Sequence, residues 1–81
     1  MVSQTEVIEL LRRHPFCTEI ELTDAYCEEN GISGHWERQK VAAYIRMKLR
    51  KLEKQNYVLR RRVSEHIFNS ETDRVEWRLI E

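Results

Sequence analysis

The sequence predicts an α+β fold in which three helices are followed by an antiparallel β-hairpin. Three observations support this prediction: two capping boxes that each open an amphipathic segment, one long segment of helical periodicity, and two β-prone runs near the C-terminal end. A chain of 81 residues has the size of one small domain, so we expect a single domain over residues 1–81.

The first helix is predicted from about Gln4 to Arg13. Ser3 and Glu6 fit a capping box, in which the hydroxyl accepts a hydrogen bond from a backbone amide and the carboxylate reaches back to the cap. Pro15 ends the segment, because proline has no amide hydrogen and disfavours helical geometry in the residue before it.

A second capping box, Thr18 and Glu21, predicts a second helix over about residues 19–29. Asn30 and Gly31 follow, and both residue types tolerate the left-handed conformation in which many helices end. The first two helices are therefore predicted as short and separately capped.

The third and longest helix is predicted over about residues 36–55. At 100° per residue, one narrow apolar face forms, and we expect it to meet the core; it consists of Val41, Ile45, Leu49 and Leu52. The opposite face mixes basic with apolar side chains, namely Trp36, Gln39, Ala43, Arg46, Met47, Arg50 and Lys54. That mixture is unusual for a face that only meets solvent.

The hairpin is predicted from strands of about residues 57–64 and 74–80, because both runs are rich in β-prone residues. Residues 64–73 between them are polar and predict a long tip. Asn56 ends the third helix at a position that favours glycine or asparagine.

Charge is strongly segregated along the chain, although the formal net charge is zero. Residues 1–35 carry a net charge of −5, residues 36–62 carry +8 and residues 63–81 carry −3. The basic third, which contains the long helix and the first strand, is where we expect a polyanion to bind.

Two cysteines are too few for the disulfide framework of a small secreted protein, which favours an intracellular, reducing location. Cys17 and Cys27 are expected to be ordinary thiols; a bridge between them, or a zinc site that includes His14 and His35, is the alternative. We predict no catalytic residue, cofactor, metal, small-molecule ligand or membrane segment, since no phosphate loop, activated nucleophile or long apolar run is present.

The segment from Leu49 to Arg61, LRKLEKQNYVLRR, resembles the end of the recognition helix in winged-helix DNA-binding domains. That family recurrently shows Leu-x-x-Leu-Glu, small polar residues, a glycine, an apolar pair and a basic strand. Asn56 stands where the family more often has glycine, and the run from Val75 to Leu79 is similar to the family's last strand. The resemblance covers essentially the whole chain at the level of pattern.

The resemblance implies that the third helix enters the major groove of double-stranded DNA. Its groove-facing residues would be Gln39, Lys40, Ala43, Tyr44, Arg46, Met47 and Arg50. Phosphate or wing contacts would come from Lys51, Lys54, Arg60, Arg62, His66, Asn69 and Arg74. Successive strand residues alternate faces, so at least one residue of the run from Arg60 to Arg62 is expected to point away from DNA or to pair with Glu76.

We therefore predict a sequence-specific DNA-binding protein that regulates transcription and is not an enzyme. A homodimer is expected, associating through Val7 and Leu10 of the first helix or through the acidic half. The alternatives are a protein-interaction module and an architectural factor in recombination or replication. In the first alternative, the basic and acidic faces dock on partner subunits without DNA. A separate interpretation is that the basic residues of the third helix form a solvated face whose acidic complement lies on the second helix.

Two aromatic residues of the third helix have open roles at this point. Trp36 is expected to pack against Ile32 or the hairpin, in preference to stacking on a base. Tyr44 lies at the shoulder of the apolar face, where it is either part of the core or part of the groove-facing surface.

Overall fold

The computed structural model describes residues 2–67 and 70–80, and the side chains of all of these except 65–67 and 70–73. Three helices, α1 (Gln4–Arg13), α2 (Glu19–Glu29) and α3 (His35–Lys54), precede two strands, β1 (Val58–Ile67) and β2 (Ser70–Leu79). The strands form one antiparallel hairpin. The predicted α+β fold is confirmed, and this order of elements is compatible with a winged-helix arrangement.

Both predicted capping boxes are present. The Ser3 hydroxyl accepts from the Glu6 amide at 3.2 Å, and the Glu6 carboxylate accepts from the Ser3 amide at 3.1 Å. Thr18 and Glu21 make the same pair of bonds at 3.2 and 3.1 Å. These bonds satisfy amides that have no partner within the helix, which explains why α1 and α2 begin where the sequence predicts.

A single core is shared by all five elements. Its fully buried side chains include Trp77 of β2, which packs with the leucines and isoleucine of the helices. Val7 and Leu10 are also buried in it, with 0% and 1% of their surface exposed. The prediction that these two residues form a dimer interface is therefore wrong, because the core of the chain itself already covers them.

The hairpin is longer than predicted. Its register runs from Val58 opposite Leu79 to Ile67 opposite Ser70, so the predicted long tip over residues 64–73 is wrong. The ladder joins backbone amides and carbonyls, and polar side chains do not prevent it. The polar composition of residues 64–73 therefore did not indicate where the pairing of β1 with β2 ends.

The loop between α1 and α2 is tied to β2. The Phe16 amide donates to the Trp77 carbonyl at 3.1 Å, and the Trp77 amide donates to the Cys17 carbonyl at 2.9 Å. This bridge occupies one edge of β2 and β1 pairs with the other, so the loop and the hairpin form one connected surface. Phe16 adopts a φ of 64°, a left-handed conformation that is unusual for a bulky residue.

Candidate nucleic-acid interface

The core contacts of α3 determine which of its side chains point outward. Val41, Ile45, Leu49 and Leu52 are all buried, as their spacing predicts. At 100° per residue, seven exposed residues lie within about 100° of arc on the opposite side of the helix. We call this surface the outward stripe; it consists of Trp36, Lys40, Ala43, Met47, Arg50, Lys51 and Lys54.

The cations of the outward stripe have no acidic partner within the described part of the chain. The ion pairs found there involve none of Lys40, Arg50, Lys51 and Lys54. An exposed cation without a nearby carboxylate retains its full attraction for an external anion. These four positive charges are spaced along about 21 Å of helix axis, at a rise of about 1.5 Å per residue.

Large apolar side chains are exposed on the same stripe. Trp36 is 76% exposed and Met47 is 61% exposed. The expectation that Trp36 packs against Ile32 or the hairpin is wrong, because the helix places the indole on the side opposite its core face. The Trp36 ring has an edge-on contact with the neighbouring His35 ring, with centroids 6.2 Å apart.

The side of α3 that faces α2 differs from the outward stripe, because its arginines are paired. Arg38 forms an ion pair with Asp24 of α2. Arg46 donates from Nε to the Glu19 carboxylate at 3.1 Å. The interpretation that carboxylates of α2 neutralise basic residues of α3 therefore holds for this flank, and it does not extend to the outward stripe.

The predicted groove-facing residues are thus divided among three positions. Lys40, Ala43, Met47 and Arg50 lie on the outward stripe together with Lys51 and Lys54. Gln39 and Arg46 lie on the flank toward α2, and Gln39 is within hydrogen-bond distance of the His35 ring, at 3.1 Å between side-chain nitrogens. Tyr44 is half-buried and packs against the core, so it belongs in part to the core.

Two of the predicted basic contacts of the hairpin, Arg60 and Arg74, are held by carboxylates. Arg60 pairs with Glu53 at 3.5 Å, and its guanidinium lies 5.9 Å from the centre of a Trp77 ring. Arg74 forms ion pairs with Glu21 and, at 3.0 Å, with Glu76. These arginines are therefore engaged within the fold.

The prediction that one arginine of the run pairs across the hairpin with Glu76 is confirmed by Arg61, at 2.9 Å. The hydrogen bond from Arg61, assisted by Arg74, lowers the pKa of the Glu76 carboxyl. Arg62 is exposed and has no ion pair in the described part of the chain. The side chain of His66, and Asn69 as a whole, lie outside the described residues.

The start of α2 is unsuited to holding a phosphate. In helix-turn-helix proteins a helix N-terminus can present free amides to the DNA backbone. Here the Thr18 hydroxyl occupies the Glu21 amide, and Glu19 and Glu21 place two carboxylates in the first turn. The start of α2 therefore offers neither a free amide at Glu21 nor an unpaired positive charge, in contrast to the outward stripe.

The cysteines lie apart from the outward stripe. Both are free thiols, Cys17 half-buried and Cys27 buried, and burial raises the pKa of each. Residues 2–67 and 70–80 contain no group of three side chains placed to hold a metal ion, within the side chains described. No helix in the same ranges combines the length and apolar character needed to cross a membrane.

Among the described residues, the outward stripe is the strongest candidate site, because it combines cations that have no ion pair there with exposed apolar side chains on one helix face. Comparisons with models of protein families, with curated proteins and with solved structures gave no match to this chain.

Proposed function

We propose that this chain binds double-stranded DNA through the outward stripe of α3 and regulates transcription by occupying its sites. The observation that carries the proposal is a set of four cations on the helix face opposite the core that have no ion pair among the described residues, namely Lys40, Arg50, Lys51 and Lys54. The order of elements, three helices and a hairpin, supports a winged-helix mode in which α3 enters the major groove.

The dimensions of α3 fit this role. A major groove about 12 Å wide admits one α-helix, and α3, at 20 residues, extends past both walls of the groove. Lys40 near one end and Lys54 at the other are then placed for phosphates on opposite sides of the groove. Ala43 supports close approach, since its short side chain keeps the backbone near the bases.

Binding is expected to depend steeply on salt. If all four unpaired cations replace counterions on duplex DNA, log K falls against log salt with a slope of about −3 to −4. Because one small domain covers a limited stretch of DNA, we propose that the protein binds as a homodimer. The two cysteines, which form no disulfide, are in keeping with action inside the cell.

The test is repeated selection from a pool of random duplex DNA at two salt concentrations. Recovery of a consensus, bound more weakly at the higher salt, is the expected result, and a palindromic consensus would support the homodimer. The double variant Arg50→Glu with Lys51→Glu should lose binding while its circular dichroism spectrum stays unchanged. If folded parent protein recovers no DNA at low salt, the proposal is wrong.

A protein-docking role is the second candidate, and a separate observation favours it. Four large apolar side chains near the base of the hairpin are exposed by 42% to 55%, namely Phe16, Tyr57, Leu59 and Ile80. Exposed apolar groups that lie near one another are typical of protein contacts. Sedimentation analysis of the parent protein with and without duplex DNA tests whether a second copy of this chain docks on the patch, because self-association through it requires no nucleic acid.

A further inference from the structure

The middle of the outward stripe is apolar, whereas its flanks are basic. Met47 lies seven residues from Lys40 and seven from Lys54, which is about 10 Å along the helix axis in each direction. Ala43, one turn before Met47, is exposed on the same stripe. The part of α3 expected deepest in a groove therefore offers methyl and thioether groups, and the cations lie on either side.

Hydrogen-bonding side chains beside this apolar centre are already engaged. Gln39 is within hydrogen-bond distance of His35, and Arg46 donates to Glu19, each at 3.1 Å. Within the stripe itself, Arg50 carries the guanidinium that suits paired acceptors on a guanine. Few side chains on this part of α3 are thus free to recognise bases by hydrogen bonds. Met47 and Ala43 are both free to recognise them by apolar contact.

We infer that α3 recognises thymine methyl groups, with Met47 and Ala43 as the contacting residues; this inference rests on the DNA binding proposed above. The C5 methyl of thymine is the apolar group that base pairs present in the major groove. An unbranched thioether adapts to the exact position of such a methyl, and the small Ala43 side chain admits it close to the helix. The expected gain is about fourfold in affinity for each methyl group buried.

The test uses two duplexes of alternating dA and dT, about two helical turns long, one of which has deoxyuridine at every thymidine position. The two differ only in their methyl groups and keep the same hydrogen-bonding edges. A second pair, alternating dG and dC with cytosine or 5-methylcytosine, adds a methyl at the same ring position. We expect tighter binding to the methylated member of each pair, by about fourfold or more.

The variant Met47→Gln tests whether Met47 contacts the thymine methyl group, because glutamine has a similar length and no apolar end. The ratio of thymidine to deoxyuridine affinity should fall toward one in M47Q. It should stay at the parent value in Ile80→Gln, which changes an exposed apolar residue beside the hairpin. Both positions are exposed, so neither variant is expected to unfold the protein.

The outcomes separate this inference from the proposed function. Equal affinity for the members of each pair, with a steep salt dependence, would overturn methyl recognition and leave DNA binding in place. A ratio that survives in M47Q would overturn the assignment to Met47. Absence of binding to all four duplexes at low salt, by folded protein, would overturn the DNA-binding proposal and this inference together.

Discussion

The hairpin and the outward stripe of α3 are both rich in basic residues, yet their surroundings differ. In the hairpin, Arg60, Arg61 and Arg74 each have a carboxylate partner, and Trp77 is 1% exposed. On the outward stripe no cation has an acidic partner among the described residues, and Trp36 is 76% exposed. A count of basic residues makes the regions look alike, whereas their contacts differ: three arginines of the hairpin are engaged within the fold, and the cations of the stripe have no ion pair among the described residues.

The largest expected effect distinguishes the two tryptophans. Trp77→Ala removes a side chain buried in the shared core, so we expect it to lower the free energy of unfolding by about 3–5 kcal/mol. Trp36→Ala removes an exposed side chain and should change the same quantity by less than about 0.5 kcal/mol. Urea unfolding followed by circular dichroism measures both. A large effect of W36A would show that the indole packs in solution and that the stripe is not free.

The next prediction compares basic residues of the two regions, with two positive charges removed from each. Neutralising two stripe cations, Arg50→Gln with Lys54→Gln, should reduce the slope of log K against log salt by about two, since each phosphate contact contributes about 0.9. Neutralising the paired arginines, Arg60→Gln with Arg61→Gln, should leave the slope near the parent value. Titration of a fluorescent duplex over a salt series supplies the slopes. Equal reductions in the two double variants would remove the distinction between the regions.

A smaller effect is expected from releasing an arginine on the flank of α3. Glu19→Gln frees Arg46 from its partner and removes a carboxylate near the stripe, so DNA affinity should rise about threefold at low salt. Stability should change by less than about 1 kcal/mol, because the pair is exposed. Glu28→Gln is the matched control, an exposed residue of α2 without an ion pair in the described part of the chain. An equal rise of DNA affinity in both variants would show that the rise comes from the change in net charge alone.

The smallest effect concerns acid stability. Arg61 and Arg74 hold the pKa of Glu76 below its ordinary value of 4.5. A carboxylate whose pKa is lowered by folding contributes stability that is complete above pH 4.5 and is lost as the pH falls through the folded pKa. Thermal melts of Glu76→Gln should therefore show a weaker dependence on pH below 4.5 than those of the parent. Glu9→Gln, which changes an exposed residue of α1, should keep the parent's dependence of thermal stability on pH. A weaker dependence in this variant would contradict the assignment of the effect to Glu76.

Local features of the sequence predicted the helices well. The capping boxes at Ser3 and Thr18 lie within three residues of their partners, and the boundaries of α1 and α2 agree with the structure. The apolar face of α3 also follows from spacing alone. Its observed bounds, His35–Lys54, differ by one residue at each end from the predicted 36–55, which is within the usual variation of helix termini.

Contacts between distant parts of the chain were not predictable in the same way. Arg46 and Glu19 are 27 positions apart, and Arg74 and Glu21 are 53 apart, so no local pattern reveals that these charges cancel. The exposure of Trp36 depends likewise on where the hairpin packs. The general placement of basic residues on α3 was correct, but dividing them into engaged and available groups required the structure.

The two tryptophans also provide a natural optical signal for each half of the molecule. The Trp77 indole is buried, and its Nε1 has no hydrogen-bond partner among the described residues, so its fluorescence should be emitted at short wavelength. The Trp36 indole is 76% exposed and should emit further to the red. Unfolding would move the emission of Trp77 to longer wavelength, whereas a ligand bound on α3 would quench the emission of Trp36 alone. The unlabelled protein can therefore report folding and binding separately in one emission spectrum.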